Sequence, residues 1–207
     1  MLQGECNVAG CKQKANTLAL MQSQTGQVSE LAFCKNHTQH LGGGYLVPNP
    51  AAFVPSQGLP TYVDCWLRAV IFAYGEYQQS SLVLKSMDCK SAFVVQIGYP
   101  EACSIYQAMK KTLSPTPPTH QLMGAMVEAL GGFLLEAIVA GFDCGSQAYK
   151  CHLVIRTKNG IVNVACRGSD AVALSLFTPF PIRVNSILMG RELSTDSEIP
   201  TDNLGEQ

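Results

Sequence analysis

Residues 149–177, YKCHLVIRTKNGIVNVACRGSDAVALSLF, contain the pattern that decides the fold. Two apolar runs, Tyr149–Arg156 and Ile161–Ala165, flank Lys158-Asn159-Gly160. This is a strong hairpin signal, because Asn-Gly tolerates the positive φ angles of tight turns. Ser169 then offers a side chain that can cap a helix. A hairpin that runs directly into a helix predicts an α+β fold rather than a doubly wound parallel sheet.

Apolar runs on both sides of this stretch predict further strands. Val63–Tyr74 and Ser81–Leu84 flank a turn near Gly75. Ala92–Ile97 and Ile182–Val184 are shorter runs with the same strand-like composition. Because strands joined by short turns pair antiparallel, the sequence predicts a mixed, largely antiparallel sheet.

Three helices are predicted, each from a start signal. The first begins at Pro100-Glu101, because proline suits the first helical turn and a carboxylate is stabilised by the positive helix end. The second is capped by Thr119 and ends at Gly131. The third is capped by Ser169 and covers Asp170–Phe177. The second helix carries an apolar stripe at helical spacing, formed by Leu122, Met123, Met126, Val127 and Leu130.

Composition narrows the class of protein. The chain has 207 residues, of which 47% are hydrophobic and only 14% are charged. These fractions exclude a disordered chain and a highly charged coiled coil, since typical domains have about 25% charged residues. A net charge of −1 excludes a globally basic protein but leaves a local basic patch open. So few charges also predict that a second copy covers apolar surface, which makes the protein a homodimer.

No targeting or membrane segment is predicted. The start, MLQGE, has neither the basic nor the apolar part of a secretory signal. The most apolar stretch, Leu122–Phe142, contains Glu128 and Glu136 and is interrupted by Gly131-Gly132, which argues against a membrane span. Nine cysteines are an odd number and cannot all pair within one chain. These features favour a cytoplasmic protein with thiol or metal chemistry.

Shifts in composition divide the chain into four parts. Residues 1–41 contain three cysteines and two histidines, and we expect them to form a small zinc-binding module. Residues 42–60 are a Gly- and Pro-rich linker. The main domain spans residues 61–191. Residues 192–207 contain five acidic residues and no basic one, which predicts a flexible acidic tail.

The first part contains a candidate metal site. Cys6, Cys11, Cys34 and His37 form the pattern C-x4-C, a hairpin-length spacer and C-x2-H. Two such pairs can converge into the tetrahedral arrangement that zinc prefers, and a complete set of four ligands predicts a structural rather than a catalytic ion. His40 is an alternative fourth ligand. The alternative to a metal site is a segment with free thiols.

Three short stretches of the main domain stand where helices are predicted to begin. They are Ile97-Gly98 with Glu101-Ala102, Pro117 with Thr119-His120-Gln121-Leu122, and Arg167-Gly168-Ser169-Asp170-Ala171. In this order and spacing they resemble the bifunctional nuclease family, small domains described as acting on both DNA and RNA. The resemblance covers about residues 63–189. Some members of that family look similar in having a short Cys-rich module ahead of the domain.

The chain departs from the family pattern at four positions. Thr116 stands where the family has a basic residue, and Gln121 and Ala165 stand where it has acidic residues. Gly168 replaces a proline. If catalysis depends on the missing charges, this chain is an impaired nuclease or a binding module with the same fold.

The resemblance implies roles for four residues. Arg167 would bind the phosphate, Glu101 and Asp170 would hold a magnesium or manganese ion, and His120 would act as general acid or base. Each has a plainer structural explanation as well. Carboxylates are common in the first turn of any helix, and Arg167 and Asp170 can simply pair across the turn. A regulatory adaptor that works through the zinc module is a third hypothesis.

Charge distribution supports a nucleic-acid partner. Residues 150–191 contain six basic residues and one acidic residue, Asp170. Such a segment can follow a phosphate backbone. The residues expected to bind substrate are Lys150, Arg156, Lys158 and Arg183.

Overall fold

The computed structural model describes residues 4–8, 10–37, 60–73, 80–111 and 116–191. These residues form a ten-stranded sheet and three helices of ten or eleven residues. The strands are β1 Thr17–Gln22, β2 Val28–Phe33, β3 Tyr62–Ala73, β4 Ser80–Ser86, β5 Ser91–Ile97, β6 Phe133–Asp143, β7 Ala148–Thr157, β8 Gly160–Cys166, β9 Ile182–Asn185 and β10 Gly190–Arg191. The helices are α1 Tyr99–Met109, α2 Thr119–Ala129 and α3 Gly168–Phe177.

The long strand β3 organises the sheet, because three other strands pair with it. The main strand order is β10-β5-β4-β3-β9-β6-β7-β8. One edge of β3 pairs with β4, and the other is shared: residues 62–65 pair with β9 and residues 69–73 pair with β1. All pairs are antiparallel except β6 with β9. The predicted α+β fold with a mixed, largely antiparallel sheet is therefore confirmed.

The two faces of the sheet pack against different parts of the chain. Neighbouring residues of a strand point to opposite faces, and Val70 and Ile71 accordingly belong to different clusters of the core. Val70 lies in the larger cluster, with residues of α1 and α3. Ile71 packs with Cys6 and Cys34 of the N-terminal segment. The helices thus cover one face, and the Cys- and His-containing segment covers part of the other.

Four strands in the structure were not predicted from the sequence: β1, β2, β6 and the two-residue β10. β1 and β2 form a hairpin that joins the main sheet through β3, so the described part of the N-terminal module shares the sheet of the main domain. β6 is flanked by β7 and β9. The sequence of β6 is nearly continuously apolar rather than alternating, and periodicity alone cannot distinguish such a run from a buried helix.

The starts of two helices differ from their prediction by one or two residues. Thr119 and Ser169 were expected as N-caps, but the N-cap residues are Pro118 and Arg167. Thr119 is the first residue of α2, and Ser169 lies buried inside the first turn of α3. The end of α2 agrees with the prediction, since Gly131 adopts a φ of +76° just after the helix.

The apolar stripe of α2 does not face the core. Leu122, Met123, Met126 and Leu130 are exposed, Leu130 by 80%. The buried residue of α2 is Gly124. Its Cα approaches the Leu174 and Thr178 side chains, at the end of α3, so closely that a Cβ would collide with the Thr178 Oγ1. Close packing of α2 on α3 therefore selects the glycine face and leaves the stripe in solvent.

Several predicted features lie outside the described residues. They are residues 42–59 of the linker, the acidic tail 192–207, the turn at Gly75, the alternative ligand His40 and the first three residues. In the part of the chain that the structure describes, no helix is long and apolar enough to span a membrane.

Candidate functional site

The first cluster of reactive side chains consists of the four predicted metal ligands. Cys6 and Cys11 belong to a loop closed by an isolated β-bridge, while Cys34 and His37 follow the end of β2. The Nδ1 of His37 lies 3.3 Å from the Sγ of Cys6 and 3.3 Å from the Sγ of Cys34. The Sγ atoms of Cys11 and Cys34 are 3.9 Å apart. All four ligand atoms lie within 4.8 Å of one another.

These distances fit a tetrahedral zinc site. Bonds of about 2.3 Å to sulfur and about 2.0 Å to nitrogen place neighbouring ligand atoms roughly 3.5–3.8 Å apart around the ion. Burial raises the pKa of Cys34, but hydrogen bonds from the backbone N–H groups of His37 and Asn36 outweigh it and leave this pKa below its usual value. Such bonds favour the thiolate that a metal needs. The cluster could therefore hold a metal ion such as zinc.

The second cluster lies on the helical face of the sheet, where the starts of α1, α2 and α3 meet. Arg167 joins two carboxylates: its Nη1 donates to the Oε1 of Glu101 at 2.7 Å, and its Nε and Nη2 donate to Asp170 at 2.9 and 3.0 Å. The Nε2 of His120 lies 3.4 Å from the Oδ1 of Asp170. All four predicted catalytic residues are thus in one connected group.

The members of this cluster differ in exposure and charge. Partial burial raises the pKa of Asp170, but hydrogen bonds from Arg167 and His120 outweigh it and hold the pKa below its usual range. The pKa of Arg167 is raised, chiefly by its hydrogen bond to Asp170. The Arg167 side chain is 68% exposed, whereas that of His120 is 16% exposed. An anion in solution can therefore reach the guanidinium, and the imidazole is sheltered behind it.

The three helix starts near Arg167 have no side-chain cap among the described residues. The N-cap residues are Gly98, Pro118 and Arg167 itself, and none of them makes a side-chain capping hydrogen bond in the described structure. The first N–H groups of a helix have no partner within the helix, and the positive end of its dipole attracts anions. Three such ends near one arginine favour a phosphate group.

The donor set of this cluster does not fit a magnesium or manganese ion as it stands. Such an ion needs carboxylate oxygens free to bind it. One oxygen of Glu101 and both oxygens of Asp170 already accept hydrogen bonds from Arg167, and the guanidinium occupies the space between them. Among the described residues, the Cys and His ligands of the first cluster form the one group arranged to hold a metal.

The two arginines among the four basic residues predicted to bind substrate contact other side chains. Arg183 lies between Ile182 and Val184, which face the helices, so its side chain points to the opposite face of the sheet. There it donates to Asp64 at 3.0 Å and to Glu136 at 3.2 Å. The guanidinium of Arg156 lies 4.9 Å from the centre of the Phe133 ring.

The other two basic residues are exposed lysines. Lys150 on β7 has a side chain 67% exposed, with its Nζ 4.0 Å from the Oδ1 of Asp143. Lys158 stands in the β7–β8 turn, where its Cε packs near Gly131. None of the four basic residues has a described contact with Arg167, so the positive segment is spread over both faces.

Gly98 is a site residue that sequence reasoning missed. It is the N-cap of α1, and a Cβ at this position would collide with the Oε2 of Glu101. The Glu101 side chain therefore folds back over the start of its own helix, which requires a residue without a side chain there. The sequence signal for this contact was the glycine three positions before Glu101.

Comparison with known proteins agrees with these observations. A family model described as the bifunctional nuclease domain matches residues 82–195. That range includes α1, α2, α3 and all four residues of the second cluster. A search of curated proteins found no match to the chain.

Proposed function

Because the chain belongs to the bifunctional nuclease domain family, we propose that it hydrolyses phosphodiester bonds in DNA and RNA with little sequence preference. The observation that carries this proposal is the meeting of three helix starts at one exposed arginine. A phosphodiester is an anion whose charge rises in the transition state. The guanidinium of Arg167 and the positive ends of the helices around it would stabilise that charge.

His120 and Asp170 would supply the proton transfer. The Nε2 of His120 faces the carboxylate of Asp170. This contact would hold the imidazole ring in place. It would also stabilise the imidazolium that forms when His120 takes a proton from water. Binding of a phosphate would draw Arg167 away from Glu101, since both compete for the same guanidinium. Glu101 would then be free to accept a hydrogen bond from the attacking water or the leaving group instead.

A metal-assisted version of this reaction was expected from the sequence. It would require Glu101 and Asp170 to share a magnesium or manganese ion, and Arg167 now stands between them. No step of the proposed reaction is therefore routed through such an ion. Zinc is proposed at the other cluster only, where Cys6, Cys11, Cys34 and His37 would hold it in a structural role.

The test is a cleavage assay on the full chain with single- and double-stranded DNA and RNA. We expect cleavage that falls at least about a hundredfold in Arg167→Ala and Asp170→Ala, as is typical when a group that stabilises the transition state is removed. Arg68→Ala is the matched control, because this arginine donates to the backbone carbonyl of Gln22 and lies outside the cluster. Equal activity in all variants would indicate a contaminant and overturn the proposal.

Magnesium and a chelator form the second arm of the same assay. Cleavage that needs magnesium while the zinc content stays constant would restore the metal-assisted version. Cleavage without added magnesium would support the reaction by His120, Asp170 and Arg167 alone.

A non-catalytic nucleic-acid-binding or regulatory module is the second candidate. The observation that favours it is the departure from the family pattern: Thr116, Gln121 and Ala165 are exposed positions without the expected charges. Tight binding of DNA or RNA by folded protein without any cleavage would identify this alternative. Loss of a protein partner in a zinc-free variant, with the main domain folded, would instead point to an adaptor.

We also propose that two copies associate through α2 and the neighbouring strands. The exposed apolar residues on this helical face are Leu122, Met123, Met126, Leu130, Val162 and Val164. A monomer rarely leaves such a patch in water. Light scattering should give twice the chain mass of 22.3 kDa for the native protein and the single mass for Leu130→Glu. Met87→Glu, at an exposed position in the β4–β5 turn, is the control, and a monomeric native protein would contradict the proposal.

A reducing, cytoplasmic location remains part of this proposal.

A further inference from the structure

Two cysteines that take no part in zinc binding lie side by side next to the second cluster. Cys151 on β7 and Cys166, the last residue of β8, are directly opposite each other in the antiparallel register. Their Sγ atoms are 3.6 Å apart. Cys151 is buried in the main core, and Cys166 is partly exposed on a strand that forms the edge of the sheet.

The backbone geometry suits a disulfide without rearrangement. Directly opposite residues in an antiparallel pair have Cα atoms about 4.5–5.5 Å apart, within the range of about 4.4–6.8 Å found in disulfides. The sulfur atoms would move together from 3.6 Å to about 2.05 Å, which side-chain rotation can supply.

The two thiols are also unequal in reactivity. The hydrogen bond between them lowers the pKa of Cys166 and raises that of Cys151, where burial adds to the effect. Cys166 is therefore the nucleophile that meets a reagent from solution, and Cys151 is the resolving thiol behind it.

We propose that Cys151 and Cys166 form a reversible disulfide, by exchange with a low-molecular-weight disulfide such as oxidised glutathione, and that this bond controls the position of Arg167. The Cys166 thiolate attacks the reagent and releases one glutathione thiolate. Cys151 then gives up its proton and attacks the Sγ of Cys166, which releases the second. Two protein thiols are oxidised to one disulfide, and one glutathione disulfide is reduced to two thiols.

The disulfide would act directly on Arg167, because Arg167 follows Cys166 in the chain. Arg167 is both the N-cap of α3 and the donor to Glu101 and Asp170. A bond that pulls the end of β8 toward β7 shifts the point from which this side chain starts. A displacement of about 1 Å at a catalytic group is enough to lower a rate many-fold. This consequence rests on the proposed nuclease function, whereas formation of the disulfide does not.

The experiment treats the zinc-loaded full chain with oxidised glutathione and maps disulfides by mass spectrometry. We expect a loss of two hydrogen masses in a cross-linked pair of peptides that contain Cys151 and Cys166, with the zinc content unchanged. Cys151→Ala should stop at a glutathione adduct on Cys166. Cys103→Ala, which alters another partly buried cysteine, should form the disulfide normally. Absence of the 151–166 cross-link in the folded native chain overturns the proposal.

Cleavage activity is measured on the same samples. We expect oxidation to lower the rate at least about fivefold and dithiothreitol to restore it, with no change in Cys166→Ala, which can form neither the adduct nor the disulfide. A disulfide that forms without any effect on an active enzyme overturns the control of Arg167. If the reduced protein has no activity at all, the proposed nuclease function fails, and the mapping still decides whether the disulfide forms.

Discussion

The two clusters of reactive side chains lie on opposite faces of one sheet and are held together by opposite means. At the Cys6, Cys11, Cys34 and His37 cluster, four side chains that can act as metal ligands converge, and three of them can carry negative charge as thiolates. At the Arg167 cluster, a cation stands between two carboxylates and the charges balance within the chain.

The difference indicates what each cluster does for the protein. Thiolates packed within 4.8 Å repel one another unless a cation binds, so the proposed metal would complete the first cluster and support folding. The second is satisfied without any ligand, and its arginine is exposed enough to exchange one anion for another. The first should therefore govern stability and the second activity.

The largest expected effect comes from the first cluster. Cys34→Ser should reduce the zinc content from about one ion per chain to nearly none and lower the melting temperature by on the order of 10 °C, because the loop and the β1–β2 hairpin lose their support. Metal analysis and thermal unfolding measure the two results. Cys144→Ser, at an exposed position in the β6–β7 turn, is the control. Full zinc binding by Cys34→Ser would show that the four residues are not the ligands.

The second largest effect is expected from a substitution in the Arg167 cluster that keeps the charge. Arg167→Lys keeps a cation but loses the fork that contacts Glu101 and Asp170 together. We expect cleavage to fall about a hundredfold. The free energy of unfolding should change by less than about 1 kcal/mol, because exposed ion pairs contribute little. A variant that loses stability as much as activity would erase the contrast between the two clusters.

A pair of glycine variants sharpens the role of Glu101. Gly98→Ala places a Cβ against the carboxylate and forces it to move, whereas Gly168→Ala meets no atom within 4 Å. We expect about tenfold slower cleavage in the first variant and native activity in the second, since a small displacement of a positioned group is costly. Steady-state rates on one RNA substrate measure both. Equal rates in the two variants would show that the position of Glu101 does not affect cleavage.

The smallest effect is the contribution of Asp170 to stability. Its folded pKa lies below the ordinary value of 3.8, so the ionised form is favoured by folding, and this stabilisation is lost as the pH falls through the folded pKa. The difference in unfolding free energy between the native protein and Asp170→Asn should be below about 1 kcal/mol at pH 6 and should shrink below about pH 4. Denaturant titrations at several pH values measure it. A difference that grows at low pH would contradict the assignment.

The sequence predicted what depends on local spacing. The metal ligands occur as two close pairs, so a short hairpin brings them together, and Asn159-Gly160 fixed the β7–β8 turn for a similar reason. The four residues of the second cluster were predicted from motifs at helix starts, although their contacts span up to 66 residues of chain.

Features that depend on packing between elements could not be predicted. The face of α2 is chosen by how closely α3 approaches Gly124, and this approach has no signature in the α2 sequence. The nearly all-apolar β6 became recognisable only with β7 and β9 on its two edges. The Cys151–Cys166 pair, by contrast, was within reach, because the register set by Gly160 places the two residues opposite each other.

The divided edge of β3 affects the order in which the protein can fold on the ribosome. β1 has left the ribosome before β3 and can pair with residues 69–73 at once. Residues 62–65 must wait for β9, some 120 residues later in synthesis. During that interval the first four of the twelve residues on this edge of β3 are unpaired and open to other nascent chains. Slower translation after β3 would lengthen this exposure. Early pairing of the β1–β2 hairpin with residues 69–73 leaves a shorter part of the β3 edge exposed.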